Sequence, residues 1–374
     1  MERQGEGHPG CCAVSCMTFD VFILVPSPHP TGPVKGAIAL ANALVAVCNV
    51  SLVYLKEGPG ADAEVDTRIA VISLAKTGRT WIRKFLAYRA LLKASGGRSR
   101  TYSISMCLSA DMVNSRCRDL AVICASVRGN LPENYRHEYG VQGLVLSVVH
   151  MWLLRSFDHV VAMTQAMADQ LQRLAFLKPK VIGNFIDEMA LEPYRGVHSS
   201  NGGPRLVFVG SLTSRKQPLV LLSAFAKVRE FYPKATLDIL GEGPLRPEVE
   251  AFIVAENLSD HVRLRGQVEN PYPVLASADL FVLPSKSEGV SRAAMEALFL
   301  GVPCVLRDVD GNGELLGVGG PSATFRSDDE LPVVICRLLD DRQDLVGRRG
   351  PLLPATFRQQ TSARRYLDLM ENAK

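Results

Sequence analysis

No stretch of the sequence stays apolar for the roughly 20 residues that a helix needs to cross a bilayer. The longest apolar run of the first half, 144–154, is interrupted by His150. The expectation is a chain that is soluble or lies on a membrane without crossing it. No secretory leader is expected: residues 1–17 are polar and Gly-rich, and the apolar run 21–25 is too short for a signal-peptide core. The nine cysteines, at 11, 12, 16, 48, 107, 117, 124, 304 and 336, form no short-spaced framework. Several sit in apolar, strand-like runs, the habit of small core residues in a reducing cytosol. His8 with Cys11, Cys12 and Cys16 matches no standard zinc spacing. The third glycine of a dinucleotide fingerprint is also lacking. In Gly241-Glu242-Gly243-Pro244 the position that G-x-G-x-x-G reserves for it holds Arg246, which disfavours a Rossmann dehydrogenase. Finally, 76–100 contains no Asp or Glu, yet carries eight Lys or Arg.

What is present suffices for two globular domains of about 150 to 200 residues: 374 residues, 47% hydrophobic and 21% charged. Charge is uneven. Residues 1–186 hold 20 Lys and Arg against 13 Asp and Glu, a balance of +7, whereas residues 187–374 hold 22 against 25, a balance of −3. The first half therefore suits acidic partners. A strand at 19–25, a loop containing Gly32 and an apolar helix at 37–46 open a doubly wound α/β domain. Strand-like runs at 50–55, 69–73, 120–125, 159–163 and 180–183 alternate with helical segments, which reads as a parallel sheet. Residues 187–204 have the Gly, Ser and Pro content of a linker. A second series follows, with strands at 205–210, 235–240, 263–266, 279–283 and 302–306, a helix at 218–231 and a helical tail at 353–371. The expected division is a first domain at 1–186, a linker at 187–204, a second domain at 205–352 and a final helix at 353–374.

The stretch 283–316 concentrates the chemistry. A strand stops at Pro284-Ser285, a polar loop carries Glu288, an Ala-rich helix carries Glu296, and a second strand begins after Gly301. On one continuous helix the two carboxylates would lie roughly 80° apart, so they do not read as a same-face acid/base pair. With a helix starting near Ser291, the backbone N–H groups of Val290, Ser291 and Arg292 offer an anion site. Glu288 borders that site and Glu296 reaches past it toward hydroxyls. A phosphate between two polyhydroxyl groups, as in a nucleotide sugar, fits the layout. A loop cap at Glu288 and a solvated helix carboxylate at Glu296 are the plainer alternative. Downstream of the strand 205–210, Gly210-Ser211-Leu212-Thr213-Ser214-Arg215-Lys216 sets two cations past a strand end, where they either neutralise a diphosphate or form a solvated turn.

The Glu288 and Glu296 spacing, the preceding strand Asp279 to Ser285, Gly301-Val302-Pro303-Cys304-Val305 and the turn Gly311-Asn312-Gly313-Glu314 stand in one register. This stretch resembles the donor-binding segment of the glycogen-synthase-like, retaining GT-B glycosyltransferases, the large family numbered four, whose motif is E-x7-E. The resemblance is close over 205–316 and holds only in outline for the first domain. It implies a GT-B fold: two Rossmann-like α/β domains facing each other across a cleft, with a last helix crossing back onto the first. It implies a retaining transfer of sugar from a nucleoside diphosphate sugar to an acceptor hydroxyl. Glu296 would hold the ribose and Glu288 the sugar hydroxyls. Arg215 and Lys216 would hold the diphosphate, beside Gly210, Gly289, Val290, Ser291 and the Gly32 loop. Many members have Arg where this chain has Ser211, and Arg215 is the substitute. The His that many members carry after a mid-domain strand is replaced by Ser126-Val127-Arg128-Gly129-Asn130, leaving Arg128 and Asn130 as acceptor-side candidates by position. His137 and His150 read as ordinary surface or helix histidines.

No cofactor is expected beyond the donor substrate, and no metal: Asp308-Val309-Asp310 has metal-motif spacing but falls in the turn before Glu314, and the cations are expected to take the metal's place. Retention without a marked nucleophile points to a same-face mechanism. The expected acceptor is a polyprenyl-linked glycan of surface polysaccharide (O-antigen, capsule or exopolysaccharide). The expected location is the cytoplasm, peripheral on the inner face of the cytoplasmic membrane, with an anionic lipid surface as partner through 76–100 and no nucleic acid. There a helix at 79–94 would align Trp81, Phe85 and Leu92 in a stripe, with Ile82 and Leu86 beside it, among cations. The alternative is that the stripe packs on the domain's own sheet. Two other classes stay open: a nucleotide-sugar epimerase or hydrolase of similar fold, and a non-catalytic membrane-surface binding protein.

Overall fold

A computed structural model of the chain describes residues 19–29, 31–58, 65–78, 80–196, 202–317, 319–341 and 350–372. The His8, Cys11, Cys12 and Cys16 group and Arg79 lie outside the described residues. The strand expected at 19–25 is β1 (Asp20–Val25), followed by β2 (Asn49–Tyr54), β3 (Ala70–Ser73), β4 (Thr101–Ser105), β5 (Val122–Val127), β6 (His159–Ala162) and β7 (Lys180–Val181). They form one parallel sheet in the order β3-β2-β1-β4-β5-β6-β7. The second sheet comprises β8 (Arg205–Val209), β9 (Thr236–Leu240), β10 (Val262–Gly266), β11 (Leu280–Leu283), β12 (Cys304–Arg307) and β13 (Ala323–Phe325), in the order β10-β9-β8-β11-β12-β13, again parallel. Both sheets are therefore doubly wound. The strand order reverses beside β1 in one and beside β8 in the other, and a crevice for ligands opens at the carboxyl ends of the strands at such points.

The helices of the first half are α1 (Gly32–Leu44), α2 (Trp81–Lys93), α3 (Leu108–Asn114), α4 (Leu131–Tyr139), α5 (Val141–Leu154), α6 (Gln165–Ala175) and α7 (Glu188–Leu191). Those of the second are α8 (Pro218–Phe231), α9 (Arg246–Ala255), α10 (Tyr272–Ala276), α11 (Arg292–Phe299), α12 (Asn312–Leu316), α13 (Glu330–Asp340) and α14 (Gln359–Glu371). Right-handed crossovers put α1 on one face of the first sheet and α2, α3, α5 and α6 on the other. No helix among the described residues is long and apolar enough to cross a membrane.

Two strands went unread in the sequence, β4 and β13. β4 (TYSIS) is polar at alternate positions, yet all five residues are buried in the middle of the sheet. Its serines are satisfied: Ser103 Oγ donates to Asn114 Oδ1 at 2.6 Å and meets Tyr88 Oη at 2.5 Å, and Ser105 Oγ donates to Asp111 Oδ1 at 2.6 Å. Buried hydroxyls are tolerated when each finds such a partner.

The last helix returns to the first domain. α14 packs on α1, Tyr102 Oη donates to the Met370 carbonyl, Ser126 Oγ and Tyr366 Oη lie 3.0 Å apart, and Ser362 Oγ donates to the Gly183 carbonyl at 3.0 Å. Arg358 grips Glu188 with two nitrogens, at 2.8 and 2.7 Å. Helix α7 with that glutamate lies inside the stretch read as a linker, whose residues 197–201 are outside the described residues.

Candidate functional site

β8 ends in the loop Gly210 to Gln217, and β11 ends in the loop Pro284 to Ser291, so two adjacent strands deliver their loops to the same end of the sheet. There Lys216 Nζ sits 2.5 Å from Glu288 Oε1, and Arg215 Nη1 lies 3.5 Å from the same oxygen while donating to the Ser287 carbonyl at 2.7 Å. Glu288 is buried, and the Lys216 side chain is 12% exposed. Burial alone would raise the Glu288 pKa; the Lys216 and Arg215 charges outweigh it and hold the carboxyl below its ordinary range. Burial pulls the Lys216 ammonium down from its ordinary value against the opposing pull of Glu288. The carboxylate expected to take hydroxyls is thus also the counter-ion of the cation expected to take phosphate.

Helix α11 begins where its sequence says it should. Ser291 is its N-cap, with Oγ accepting from the Ala294 N–H at 3.3 Å. The N–H groups of Val290, Ser291 and Arg292 have no protein acceptor among the described residues. Three buried polar atoms around them are likewise without a protein partner: Thr213 Oγ1, Ser287 Oγ and Arg292 Nη1. Buried donors in native folds are rarely left so, and a cluster of them around a helix start marks a place for an anion with hydroxyl groups. Glu296, inside α11, is buried, with Oε1 3.5 Å from Arg292 Nη2.

The first domain closes on this site. Asp310 Oδ2 accepts from the Glu288 N–H at 2.9 Å and its Oδ1 from Asn130 Nδ2 at 2.7 Å. Glu314 accepts from the N–H groups of Gln165 and Ala166, both at 2.9 Å, so a residue of the second domain caps α6 of the first. Arg128 is held by Asn184 Oδ1 at 3.1 Å, and the Asn184 amide reaches the Val290 carbonyl at 3.5 Å. Burial lowers the Arg128 pKa, and the nearby Arg292 charge lowers it further.

This closeness forces glycine at 289, where the clash is with backbone, whereas at Gly36 it is with the movable end of a side chain. A Cβ on Gly289 would stand 2.4 Å from the Arg128 carbonyl oxygen, and one on Gly36 would stand 1.8 Å from Arg128 Nη2. Gly32 is different: it is the first residue of α1, and a Cβ there would meet nothing. Gly210 closes β8 beside the Lys216 stem.

The structure thus gathers Arg215, Lys216, Glu288, Gly289, Val290, Ser291 and Glu296 around one end of β8 and β11, and brings Arg128 and Asn130 to it from the other domain. Asn130 is already engaged, capping α4 through the Glu133 N–H at 3.2 Å besides bonding Asp310. Asp308 and Asp310 turn to different partners, Asp308 to Arg326 at 3.1 Å. His150 is a helix histidine, as read, on the buried face of α5, with Nε2 2.8 Å from Asp111 and Nδ1 2.9 Å from Tyr135 Oη. Sequence reading missed Asn184, the bridging role of Asp310 and the side chain of Arg292. No local pattern marks Asn184; the Gly311 to Glu314 turn was a signal for its neighbour Asp310.

Residues 203–341 match the family model described as "Glycosyl transferases group 1". They form a glycosyltransferase group 1 domain. The group 1 domain carries the whole Lys216, Glu288 and Glu296 arrangement. Among curated relatives, the chain is 34% identical over 113 residues to the N-acetylgalactosamine-N,N'-diacetylbacillosaminyl-diphospho-undecaprenol 4-alpha-N-acetylgalactosaminyltransferase of Campylobacter jejuni, covering 30% of each chain. The chain spans about half the length of the first curated relatives it matches. Among solved structures, sucrose-phosphate synthase from Thermosynechococcus elongatus superposes with a TM-score of 0.78 at 18% identity, over 95% of this chain and 99% of that one. Anabaena HepE in complex with UDP and glucose superposes with 0.73 at 15% identity, over 95% and 100%. The fold is GT-B, as the resemblance implied.

Proposed function

We propose that the protein is a retaining glycosyltransferase of the E-x7-E type, moving a sugar from a nucleoside diphosphate sugar to an acceptor hydroxyl. The observation that carries the reading is that the Lys216–Glu288 pair, the open N–H groups at the start of α11 and the unpartnered donors Thr213 Oγ1, Ser287 Oγ and Arg292 Nη1 all belong to the two loops and the helix start at the ends of β8 and β11. Such a site suits a diphosphate flanked by hydroxyls. In this reading Lys216, Arg215 and the first turn of α11 stabilise the charge that grows on the diphosphate as the glycosidic bond breaks. Glu288 holds Lys216 in place and offers its second oxygen to the sugar hydroxyls, while Glu296 takes the ribose. Gly210 and the Gly32 loop flank the diphosphate. With no nucleophile marked by the sequence, the reading gives the leaving diphosphate oxygen the proton of the acceptor hydroxyl as that hydroxyl attacks the same face.

A lipid-linked acceptor is proposed on the likeness to the undecaprenol-dependent relative, and the UDP held by HepE makes uridine nucleotides the first donors to try. Peripheral docking on an anionic membrane through 76–100, a role in surface polysaccharide synthesis and the division of the chain at 187–204 belong to the same proposal. Thermal-shift screening of nucleotide sugars tests it: one nucleoside diphosphate sugar should raise the melting temperature well above the others, and NMR of the transfer product should show the donor's anomeric configuration kept. Stabilisation by none, or an inverted product, would overturn the reading.

A further inference from the structure

Helix α5 (VQGLVLSVVHMWLL) contains no charged residue. Gly143, Ser147, His150, Met151 and Leu154 bury one face on the domain. On the opposite face Val141, Leu144, Val145, Val148, Val149 and Trp152 are exposed, Val141 by 80% and Trp152 by 71%. These six positions fall within about 140° of the helix circumference. The result is a convex aliphatic ridge, about three turns long, with an indole at its far end. Scattered apolar side chains on a surface mean nothing, but a contiguous ridge of this kind marks an interaction site.

The neighbouring surface decides what covers it. α3 joins α5 through the Asp111–His150 bond, and α2 joins α3 through Arg116, whose guanidinium lies over the Trp81 ring at 5.2 Å, and through Arg89, which donates to the Arg116 carbonyl at 2.7 Å. Between Thr80 and Arg118 there are eight Lys or Arg, and the one carboxylate is Asp111, buried against Ser105 and His150. Ile82 and Leu86 of α2 are exposed on this same side of the sheet. The expected stripe of α2 is split: Tyr88 and Leu92 pack inward, Phe85 is half-buried under stacked Trp81, and Arg89 is tied to Asp119. What faces outward is cationic along α2 and at Arg116 and Arg118 in the turn after α3, and aliphatic at α5. A protein groove would complement the ridge but has no use for the cations beside it, of which Arg89, Arg98 and Arg118 are paired with Asp119 and Asp158 whereas Arg83, Lys84 and Lys93 are in no such pair among the described residues. An anionic headgroup layer over acyl chains matches both ridge and cations.

We propose that α5 is the membrane-inserting element of this protein: its ridge lies in the headgroup layer of an anionic bilayer, and the cations of α2 and of the turn after α3 hold the surrounding lipid phosphates. This deepens the docking part of the proposed function and rests on it, while its test reads no glycosyl transfer. The chain has two tryptophans, one in each helix. In W81F, Trp152 is the sole fluorophore; in W152F, Trp81 is. The full chain is mixed with vesicles of phosphatidylcholine and phosphatidylglycerol, with and without brominated acyl chains, and with phosphatidylcholine alone. With phosphatidylglycerol present, Trp152 should shift to the blue and be quenched by the brominated lipid, and Trp81 should respond far less. V145E/V148E should weaken co-sedimentation at least tenfold, and V145T/V148T, which keeps the side-chain shape on a fully exposed face, by less. Vesicle binding with Trp152 unshifted and unquenched would overturn insertion by α5 and leave docking by the cations of 76–100. Absence of binding to anionic vesicles would overturn both. A stable dimer that V145E/V148E makes monomeric would assign the ridge to a second copy of the chain instead.

Discussion

A largely buried ammonium 2.5 Å from a buried carboxylate is a contact whose loss has two consequences, one for chemistry and one for stability. Removing Lys216 takes away the cation nearest the proposed diphosphate, so Lys216→Ala should lower transfer by about 10²–10³-fold in steady-state kinetics. It should also cost about 3 kcal/mol in urea unfolding, since a buried carboxylate keeps only Arg215 at 3.5 Å. Glu296→Ala should leave the fold intact and weaken donor binding by about tenfold or more, read by calorimetry. The pH dependence follows from Glu288. Its folded pKa lies below the ordinary 4.5, so the stabilisation is complete above that value and lost as pH falls through the lowered folded value. The unfolding free energies of the protein and of Glu288→Gln should therefore differ at pH 7 and converge in acid; a gap that stays constant down to the lowest measurable pH would detach that stabilisation from the carboxylate. These residues were legible because a strand end, a loop carboxylate and a capped helix have sequence spacings. The unpartnered Arg292 Nη1 was not, because only packing decides which side chains lack partners.

Among the elements, β11, α11 and β12 emerge near the positions their pattern predicts, and Ser291 caps α11. β4 escaped because the alternation rule equates polar with exposed, and here Ser103 and Ser105 are polar, buried and bonded. The predicted basic helix proved to be Trp81–Lys93, but its apolar residues divide between the sheet and solvent rather than forming one stripe. The cap that Glu314 supplies to α6 crosses from one domain to the other, which no local pattern announces. Glu314→Ala should cost about 0.5–2 kcal/mol, as loss of a helix cap does. It should also loosen the cleft, seen as a larger radius of gyration in small-angle scattering and faster proteolysis. An unchanged scattering profile would mean that Asp310 and α14 hold the domains unaided.

At the scale of the molecule, two doubly wound sheets face each other and α14 ties the far end of the chain to the first. Positive charge from Lys216, Arg215 and the start of α11 converges where a diphosphate would lie, and activity should accordingly persist within about twofold in excess EDTA. Loss of activity restored by manganese or magnesium would bring in Asp308 and Asp310, which would first have to leave Arg326 and the Glu288 N–H. Asp310 also sets a clock. One of its oxygens holds the loop of Glu288 and the other holds Asn130 across the cleft, so opening the molecule and releasing the donor loop are one event rather than two. In the proposed reaction, a substitution that shortens the lifetime of those two hydrogen bonds, which act beside the Glu314 cap on α6, will release product sooner while holding donor less long.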